Sequence, residues 1–415
     1  MKGQGLIWLI LLMCLISCDN KSTIEPRQDI TFLKIYGSET RNEAVDLIYN
    51  DQSQEIIILA KSFENGSSGS RDIMIIKTDL YGNNASYFFT NSTGIDEEPI
   101  AMDINGSDIY IAGAVIQEGE KDMMLAQFSL GTNTFLWVNA YGEQNKDETA
   151  FSIEIQSSEI LLAGSAEDSI DIDNDQNFDV FGLVRNVRIV DMDGNQILES
   201  PRKNSGFVKD IKRFNVNVYH SLSQEIDPIS GEVNTQIDAG IFDGNFGTGY
   251  SPQLEGNDFP VNLIRQDSRI LALGFFSNQR NNPQESIGTF LFVAPYDQTN
   301  GNIISGSATI IRDSFFETLE IIPVQLLQVE SNRYLILGTD NDNTIRLVKF
   351  EEGGSNTYNL LWDESFGTKR PGDEAGMVVS YNSEYFFNAT ITFQSLSDFT
   401  KIGLFKTNSS GKLDF

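Results

Sequence analysis

Cysteine and histidine are nearly absent from this chain of 415 residues, which has two of the first and one of the second. Both cysteines, Cys14 and Cys18, lie at the N-terminus. The rest of the chain therefore offers no thiol for a disulfide, a nucleophile or a metal site. A lone histidine, His220, leaves almost no material for histidine-based metal centres or catalytic triads. We expect His220 to be a packing residue near the axis of the fold, with a single ligand or general base as the alternative.

Basic residues are also scarce. The chain has 29 Lys and Arg against 59 Asp and Glu, giving a formal net charge of −30. We expect no nucleic-acid partner, because phosphate contacts need Lys and Arg. Anionic surfaces would repel the chain unless divalent cations bridge them. We interpret the acidity as a solvated surface that keeps the domain soluble and monomeric.

Long apolar runs are confined to the start of the chain. Lys2 precedes the short apolar run GLIWLILLMCLIS, which is too short to span a bilayer comfortably and is followed by polar residues. Residues 1–17 are therefore predicted to be a cleaved export signal. Residues 18–30 are polar and contain a proline, which predicts a flexible tether that starts at Cys18. No later segment is long and apolar enough to cross a membrane.

One apolar phrase recurs seven times between residues 31 and 415. Its copies are spaced 51 to 64 residues apart and centre on Lys61, Gly113, Gly164, His220, Gly274, Gly338 and Ala389. Each copy lies between other short β-branched and aromatic runs, and helical periodicity is weak. Strand-only repeats of this length predict propeller blades of four strands each. The predicted fold is all-β, a single seven-bladed β-propeller over residues 31–415.

Turn and small residues support the blade assignment. The third strand of most units ends at a Gly or Asn, which supplies the positive φ of a hairpin turn. The aligned Gly or Ala after the second strand is expected to let neighbouring sheets approach near the axis. The fourth unit departs, because His220 holds the aligned position and its fourth strand, near 246–256, is weak.

The aromatic phrase of the fourth strand predicts how the ring closes. FLWVNAYG at 135–142 and LLWDESFG at 360–367 each lie between two complete units, whereas FLKIYG at 32–37 has no unit before it. The last unit has no such phrase after it. We therefore expect the N-terminal strand to pair into the last blade and cover its exposed edge.

Two resemblances extend these predictions. Leu15-Ile16-Ser17-Cys18 resembles the bacterial lipobox, which implies lipidation of Cys18 and anchoring without membrane spanning. The alternative is an ordinary signal peptide with an incidental cysteine. The motifs Tyr36-Gly37 with Glu43-Ala44, and Phe366-Gly367 with Glu374-Ala375, resemble repeats of exported bacterial β-propeller lipoproteins common in Bacteroidota. This resemblance implies a lipid-anchored protein of the cell envelope, expected in the outer membrane, and no specific activity.

The segment DIDNDQNFD at 171–179 is a candidate calcium site. Asp171, Asp173, Asp175 and Asp179 alternate along a predicted loop, and calcium prefers six to eight oxygen ligands. The spacing resembles the calcium loops of integrin-type propellers, and that resemblance implies the backbone carbonyl of Asn177 as a further ligand. Gln176 stands where those loops usually have Gly. The alternative is a solvated acidic loop.

The other acidic and aromatic candidates are predicted to be structural. Glu43, Glu98, Glu148 and Glu374 recur just before the first strand of their units, which suggests that they accept backbone N–H groups at blade junctions. Trp137 and Trp362 occupy equivalent fourth-strand positions, which predicts packing between blades.

Two functions remain open from the sequence. We favour a non-catalytic binding or scaffolding module for a protein or glycan at the cell envelope, because no unique catalytic motif is present. The alternative is a propeller enzyme that acts on polysaccharide through axial Asp or Glu residues. Converging axial carboxylates from non-equivalent repeat positions would favour the enzyme, and a shallow apolar or aromatic patch would favour binding.

Overall fold

Seven four-stranded antiparallel sheets form a seven-bladed β-propeller. The computed structural model describes residues 31–414 apart from 38–40, 64–70, 91–94, 157, 171–179, 201–204, 216–217, 228–229, 231–232, 242–244, 247–256, 279–283, 313, 355–356 and 394–399. Contacts define a compact unit from Thr31 to Phe415. The predicted fold class and blade number are therefore confirmed.

The strands follow one another through the blades in chain order. Blade one contains β2 Asn42–Asn50, β3 Glu55–Ser62, β4 Asp72–Asp79 and β5 Ser86–Phe89; blade two contains β6 Asp96–Asn105, β7 Asp108–Gln117, β8 Glu120–Ser129 and β9 Thr134–Tyr141. Blade three contains β10 Glu148–Gln156, β11 Glu159–Ile170, β12 Val180–Asp191 and β13 Gln196–Glu199; blade four contains β14 Phe207–Arg213, β15 Val218–Ile226, β16 Val233–Ile241 and β17 Asn245–Phe246.

The remaining blades follow the same order until the last strand. Blade five contains β18 Asn257–Arg265, β19 Arg269–Ser277, β20 Gly288–Pro295 and β21 Thr309–Ile311; blade six contains β22 Ile321–Glu330, β23 Arg333–Asp340, β24 Ile345–Glu352 and β25 Tyr358–Phe366. Blade seven contains β26 Glu374–Tyr381, β27 Glu384–Thr392, β28 Thr400–Thr407 and, from the N-terminus, β1 Phe32–Tyr36. A one-turn helix, α1 Ser314–Glu317, lies between blades five and six.

The N-terminal strand closes the ring as predicted. β1 pairs antiparallel with β28 over its whole length, from Phe32 opposite Lys406 to Tyr36 opposite Ile402. Phe32 and Tyr36 are buried with residues of blades one and seven, so the strand joins the core on both sides of the closure. An edge that β28 would otherwise present to solvent is thereby covered.

Every first strand carries a bulge next to its start, and this feature explains the small residues of the second strand. Cβ atoms added at Gly113 and Gly164 would lie 2.0 and 1.8 Å from the carbonyl oxygens of Glu98 and Thr149. Those oxygens belong to the first strand of the same blade, immediately before its bulge. The predicted approach of neighbouring sheets is therefore wrong at these glycines, where the close approach is between the first and second strands of one blade.

Blade four differs from the predicted alignment. We call the first-strand residue just before the bulge the pre-bulge residue. In blade four it is Val208, which pairs with Ser223; His220 lies three residues before Ser223 and pairs with Lys212. In blade one the corresponding residue is Ala60, not Lys61. The weak fourth strand consists of Asn245–Phe246 alone among the described residues, because 247–256 lie outside them.

Aromatic residues of the outer strands pack on turns of the next blade. Cβ atoms added at Gly194 and Gly411, which have φ of +83° and +77°, would lie 3.2 and 2.5 Å from the rings of Trp137 and Trp362. Glycine adopts these positive φ values at low cost, and its lack of a Cβ leaves room for the indole ring. The predicted packing of both tryptophans between blades is confirmed.

Within the described residues, no helix has the length and apolar character needed to cross a membrane.

Candidate functional site

The axis is the first candidate site, because the seven first strands meet there with unpaired inner edges. Asp46 follows the bulge of β2, and its carboxylate accepts the N–H of Leu47 at 2.7 Å. The other oxygen accepts the N–H of Met102, on the first strand of blade two, also at 2.7 Å. One carboxylate thus pairs two edge amides that would otherwise be buried without partners.

The same position supplies the same contact in three other blades. Asp210 accepts the N–H of Leu263 in blade five at 2.9 Å. Asn262 accepts the N–H of Leu326 at 2.7 Å and donates to its carbonyl at 3.0 Å. The Gln325 side-chain oxygen accepts the N–H of Val378 in blade seven, again at 2.7 Å. Carboxylate and amide side chains therefore both accept a backbone N–H group of the next blade at this position.

Two boundaries use a position two residues further along the strand. Asp103 of blade two accepts the N–H of Ile155 at 2.8 Å, and Glu154 of blade three accepts the N–H of Arg213. The last boundary is closed by Asn388, whose side chain donates to the carbonyl of Asp46 at 2.9 Å. We call these seven residues (Asp46, Asp103, Glu154, Asp210, Asn262, Gln325 and Asn388) the axial ring; they connect all seven blade boundaries.

Two lysines from blade four enter the axial channel, a cavity of about 200 Å³. Lys212 Nζ lies 3.4 Å from Asp210 Oδ1, and about a third of its side chain faces the space in the channel. Protein surrounds Lys212, yet Asp210, Glu154 and Asp103 outweigh that burial and raise its pKa. Lys209 lies over the Phe151 ring at 5.9 Å, and burial lowers the pKa of its ammonium.

Burial also acts on the axial acids. It raises the pKa of Asp46 to about 6, although the N–H groups of Met102 and Leu47 oppose the shift. Burial raises the pKa of Asp103 and Glu154 in the same way, and Lys212 opposes it in both. The described residues contain no group of three or more His, Cys, Asp or Glu placed to hold a metal ion.

The recurring glutamates proved to occupy two positions rather than one. Glu43, Glu98 and Glu374 precede the pre-bulge residue directly, whereas Glu148 lies one residue earlier, so their predicted equivalence is wrong for Glu148. Glu98 pairs with Arg71 and Lys121, which helps to lower its pKa against the effect of burial.

The glutamates were predicted to accept backbone N–H groups of a neighbouring blade. Acids at the position of Glu148, one residue before that of Glu98, make this contact instead. Glu97 accepts the N–H of Ile73 from blade one at 3.2 Å, and Asp258 accepts the N–H of Thr235 from blade four. Glu148, at the same position, is fully buried and lies 2.6 Å from Arg188 within blade three. Glu148 is therefore structural, as expected, but through an ion pair within its own blade and not through a backbone N–H group.

His220 is fully buried between two aromatic rings. Phe214 and Tyr296 lie 5.5 and 4.7 Å from its ring centroid. Its Nε2 lies 2.8 Å from the carbonyl of Gly301 in blade five, and burial lowers its pKa to about 4. A neutral imidazole that donates to this carbonyl fits a packing role.

Two predicted sites lie outside the described residues. Cys18 belongs to residues 1–30, and the candidate calcium ligands Asp171, Asp173, Asp175, Asn177 and Asp179 belong to 171–179. The described hairpin on either side of the second segment pairs as far as Ile170 and Val180.

A second candidate site lies on the upper face, defined here as the face at which each first strand begins. A pocket of about 490 Å³ opens on blade five, lined by Asn257, Phe276, Ser277, Asn278, Ile287, Gly288, Arg312 and Glu317. Sequence reasoning missed it. The available signal was the spacing of 64 residues between Gly274 and Gly338, the longest between aligned phrases.

Comparison with known proteins assigns neither a family nor a function. No protein-family model matches the chain, and no curated protein sequence matches it. Among solved structures, the chain is similar to the polysaccharide lyase Uly1, at 8% identity and a TM-score of 0.48 over 94% of both chains. It is also similar to the β-propeller domain of the Trilobed protease from Pyrococcus furiosus, at 11% identity and a TM-score of 0.45 over 91% of this chain and 97% of that one. At these identities and TM-scores the likeness carries no conclusion about function.

Proposed function

We propose that the chain is a lipid-anchored protein of the bacterial cell envelope whose propeller binds a protein or glycan partner without catalysing a reaction. The axial ring supports the part of this proposal that concerns the absence of catalysis. Its acids accept backbone N–H groups across blade boundaries, so their oxygens serve the ring itself. A group that must keep such bonds is poorly suited to transfer protons to a substrate.

The anchoring half rests on the sequence. The apolar run before Cys18 and the lipobox-like Leu15-Ile16-Ser17-Cys18 support lipidation of that cysteine. The net charge of −30 supports a partner that is neither nucleic acid nor an anionic surface.

The experiment uses the full chain in its native membranes. Metabolic labelling with an alkyne fatty acid should mark the parent and fail with Cys18→Ser, which should appear in the soluble fraction. Crosslinking and affinity purification of the labelled protein should recover a partner. Equal labelling of the variant, or specific release of a reaction product from an offered polysaccharide, would contradict the proposal.

One observation favours the enzyme as a second candidate. Glu154 and Asp210 come from non-equivalent repeat positions, and both act on Lys212 in the axial channel. Burial raises the pKa of Glu154, as a general acid requires. New reducing ends from a polysaccharide, lost in both Glu154→Gln and Asp210→Asn, would establish this candidate. Product formation that survives both changes would exclude these residues.

A further inference from the structure

We propose that the blade-five pocket on the upper face binds an uncharged saccharide. This inference rests on the proposed function and names its ligand class and site. The pocket volume of about 490 Å³ falls within the range of roughly 300–1,000 Å³ typical of small-molecule sites. It is larger than the axial channel, whose volume is about 200 Å³.

Two parts of the pocket wall, α1 and the rim at Ile287, are held in place by contacts within the protein itself. Thr289 donates a hydrogen bond to the carbonyl of Phe316 at 3.1 Å and fixes α1 on β20. Phe316 is fully buried and contacts Phe350 and Tyr358 of blade six, at centroid distances of 5.4 and 5.6 Å. Preorganised walls reduce the entropy lost on binding.

The rim beside Ile287 is fixed from blade six. Asn341 accepts the N–H of Ser286 at 2.9 Å and donates to its carbonyl at the same distance. The N–H of Ile287 bonds to the carbonyl of Phe276 at 3.0 Å. Ile287 nevertheless keeps 50% of its surface exposed, so it offers an apolar contact to a ligand.

The polar lining indicates the ligand chemistry. Asn257 and Asn278 carry amides that both donate and accept, Arg312 donates, and the Glu317 carboxylate accepts. Arg312 lies over the ring of Phe276 at 4.5 Å, which positions its guanidinium at the wall. Adjacent hydroxyls, each a donor and an acceptor, match this mixture of groups.

The charge of the lining argues for a neutral ligand. Among the described lining residues, Arg312 and Glu317 carry opposite charges that cancel. The whole chain carries −30, which disfavours an anion. An uncharged molecule with many hydroxyls and apolar ring faces satisfies both the polar groups and the exposed Ile287. Saccharides have this chemistry.

Calorimetric titration of the full chain in detergent tests the proposal. The uncharged probes are cellohexaose, xylohexaose, mannohexaose and chitohexaose, and hexagalacturonate is the acidic comparison. We expect saturable binding of at least one uncharged probe, weakened at least tenfold by Arg312→Ala and by Asn278→Ala. Glu317→Gln supplies a milder variant, and a thermal melt confirms that each variant folds.

Arg41→Ala is the matched control. Arg41 also lies on the upper face, over the Phe63 ring at 5.0 Å in blade one, so it should leave binding unchanged. Binding that persists in every pocket variant would overturn this site but leave a glycan-binding function standing. Binding of hexagalacturonate alone, or of none of the probes, would overturn the uncharged saccharide, and recovery of a protein partner would still support the proposed function.

Discussion

Thr31 and Asp414, near opposite ends of the chain, hold each other through two hydrogen bonds. Thr31 Oγ1 donates to the Asp414 carbonyl at 3.2 Å, and the Asp414 N–H donates to Thr31 Oγ1 at 2.6 Å. The contact lies directly beside β1, the strand that completes blade seven. The two ends of the propeller domain are therefore joined to each other as well as to the sheet.

Deleting residues 31–37 should lower the melting temperature by several degrees. The deletion exposes β28 and removes the buried side chains of Phe32 and Tyr36, each of which contributes about 1.5–3 kcal/mol. Differential scanning calorimetry measures the change. Deleting residues 19–30, the predicted tether, is the control and should leave melting unchanged. Equal melting of both deletions would contradict closure by β1.

Gly194→Ala should destabilise the protein more than Gly106→Ala. Both glycines have positive φ, of +83° and +61°, so each substitution strains the backbone by roughly 1 kcal/mol. A Cβ at Gly194 would also lie 2.3 Å from the side chain of Asn139, whereas nothing lies within 4 Å at Gly106. Urea unfolding gives both values, and similar losses would show that the packing of outer strands on the next turn contributes little.

Acidification from pH 7.5 to 5 should increase the stabilising contributions of Asp46 and Asp258, against an opposing contribution from His220, whose pKa burial lowers to about 4. Burial raises the pKa of Asp46 and of Asp258 to about 6 in the folded state, above roughly 4 for an unfolded Asp. Between these values the folded protein binds more protons, so lowering the pH favours it. Each group contributes on the order of 1 kcal/mol or more.

Asp258→Asn tests the assignment of that pH dependence. The amide cannot ionise, so the variant should gain less stability on acidification than the parent does. Urea unfolding at both pH values measures the difference. Equal changes in the free energy of unfolding of the parent and of Asp258→Asn on acidification would contradict the raised pKa of Asp258.

Replacing Arg185 alone should be more harmful than replacing it together with its partner. Arg185 of blade three is fully buried and lies 2.6 Å from Asp238 of blade four. Arg185→Met leaves the buried Asp238 carboxylate without its charged partner and with the Gln236 amide as its remaining donor, which costs about 3–5 kcal/mol. The double change to Met and Leu removes both buried charges and should cost less, although Gln236 then loses both partners. Chemical denaturation of the parent, of Arg185→Met, of Asp238→Leu and of the double variant decides; losses that add up in the double variant would show that the pair is not coupled.

Repetition in the sequence was sufficient to predict the blades and their closure. The Tyr-Gly phrase at 32–37 lacked a preceding unit, and in the structure Tyr36 donates to the carbonyl of Gly82 in blade one at 2.8 Å. Tyr141 makes the same bond to Gly194. A phrase that recurs because it makes the same contact in several blades is visible without a structure.

The axial ring could not be predicted in this way. Asp46 and Asp103 make the same kind of contact from positions two residues apart in the repeat, and Asn388 makes its contact from a second strand. An alignment of the repeats therefore places these residues in different columns, and their common role is not visible from the sequence. The blade-four error has a similar origin. The sequence placed His220 at the aligned position, whereas the strand register puts Ser223 there, opposite Val208.

The contact between Asp46 and Met102 gives the most direct test of the structural role assigned to the axial acids. Asp46→Asn keeps one acceptor, as Asn262 does naturally, and should remain within about 1 kcal/mol of the parent at pH 7. Asp46→Ala leaves the N–H groups of Leu47 and Met102 unpaired and should lose about 1–3 kcal/mol. Equal free energies of unfolding for the parent and the alanine variant would contradict the role of Asp46 in joining the blades.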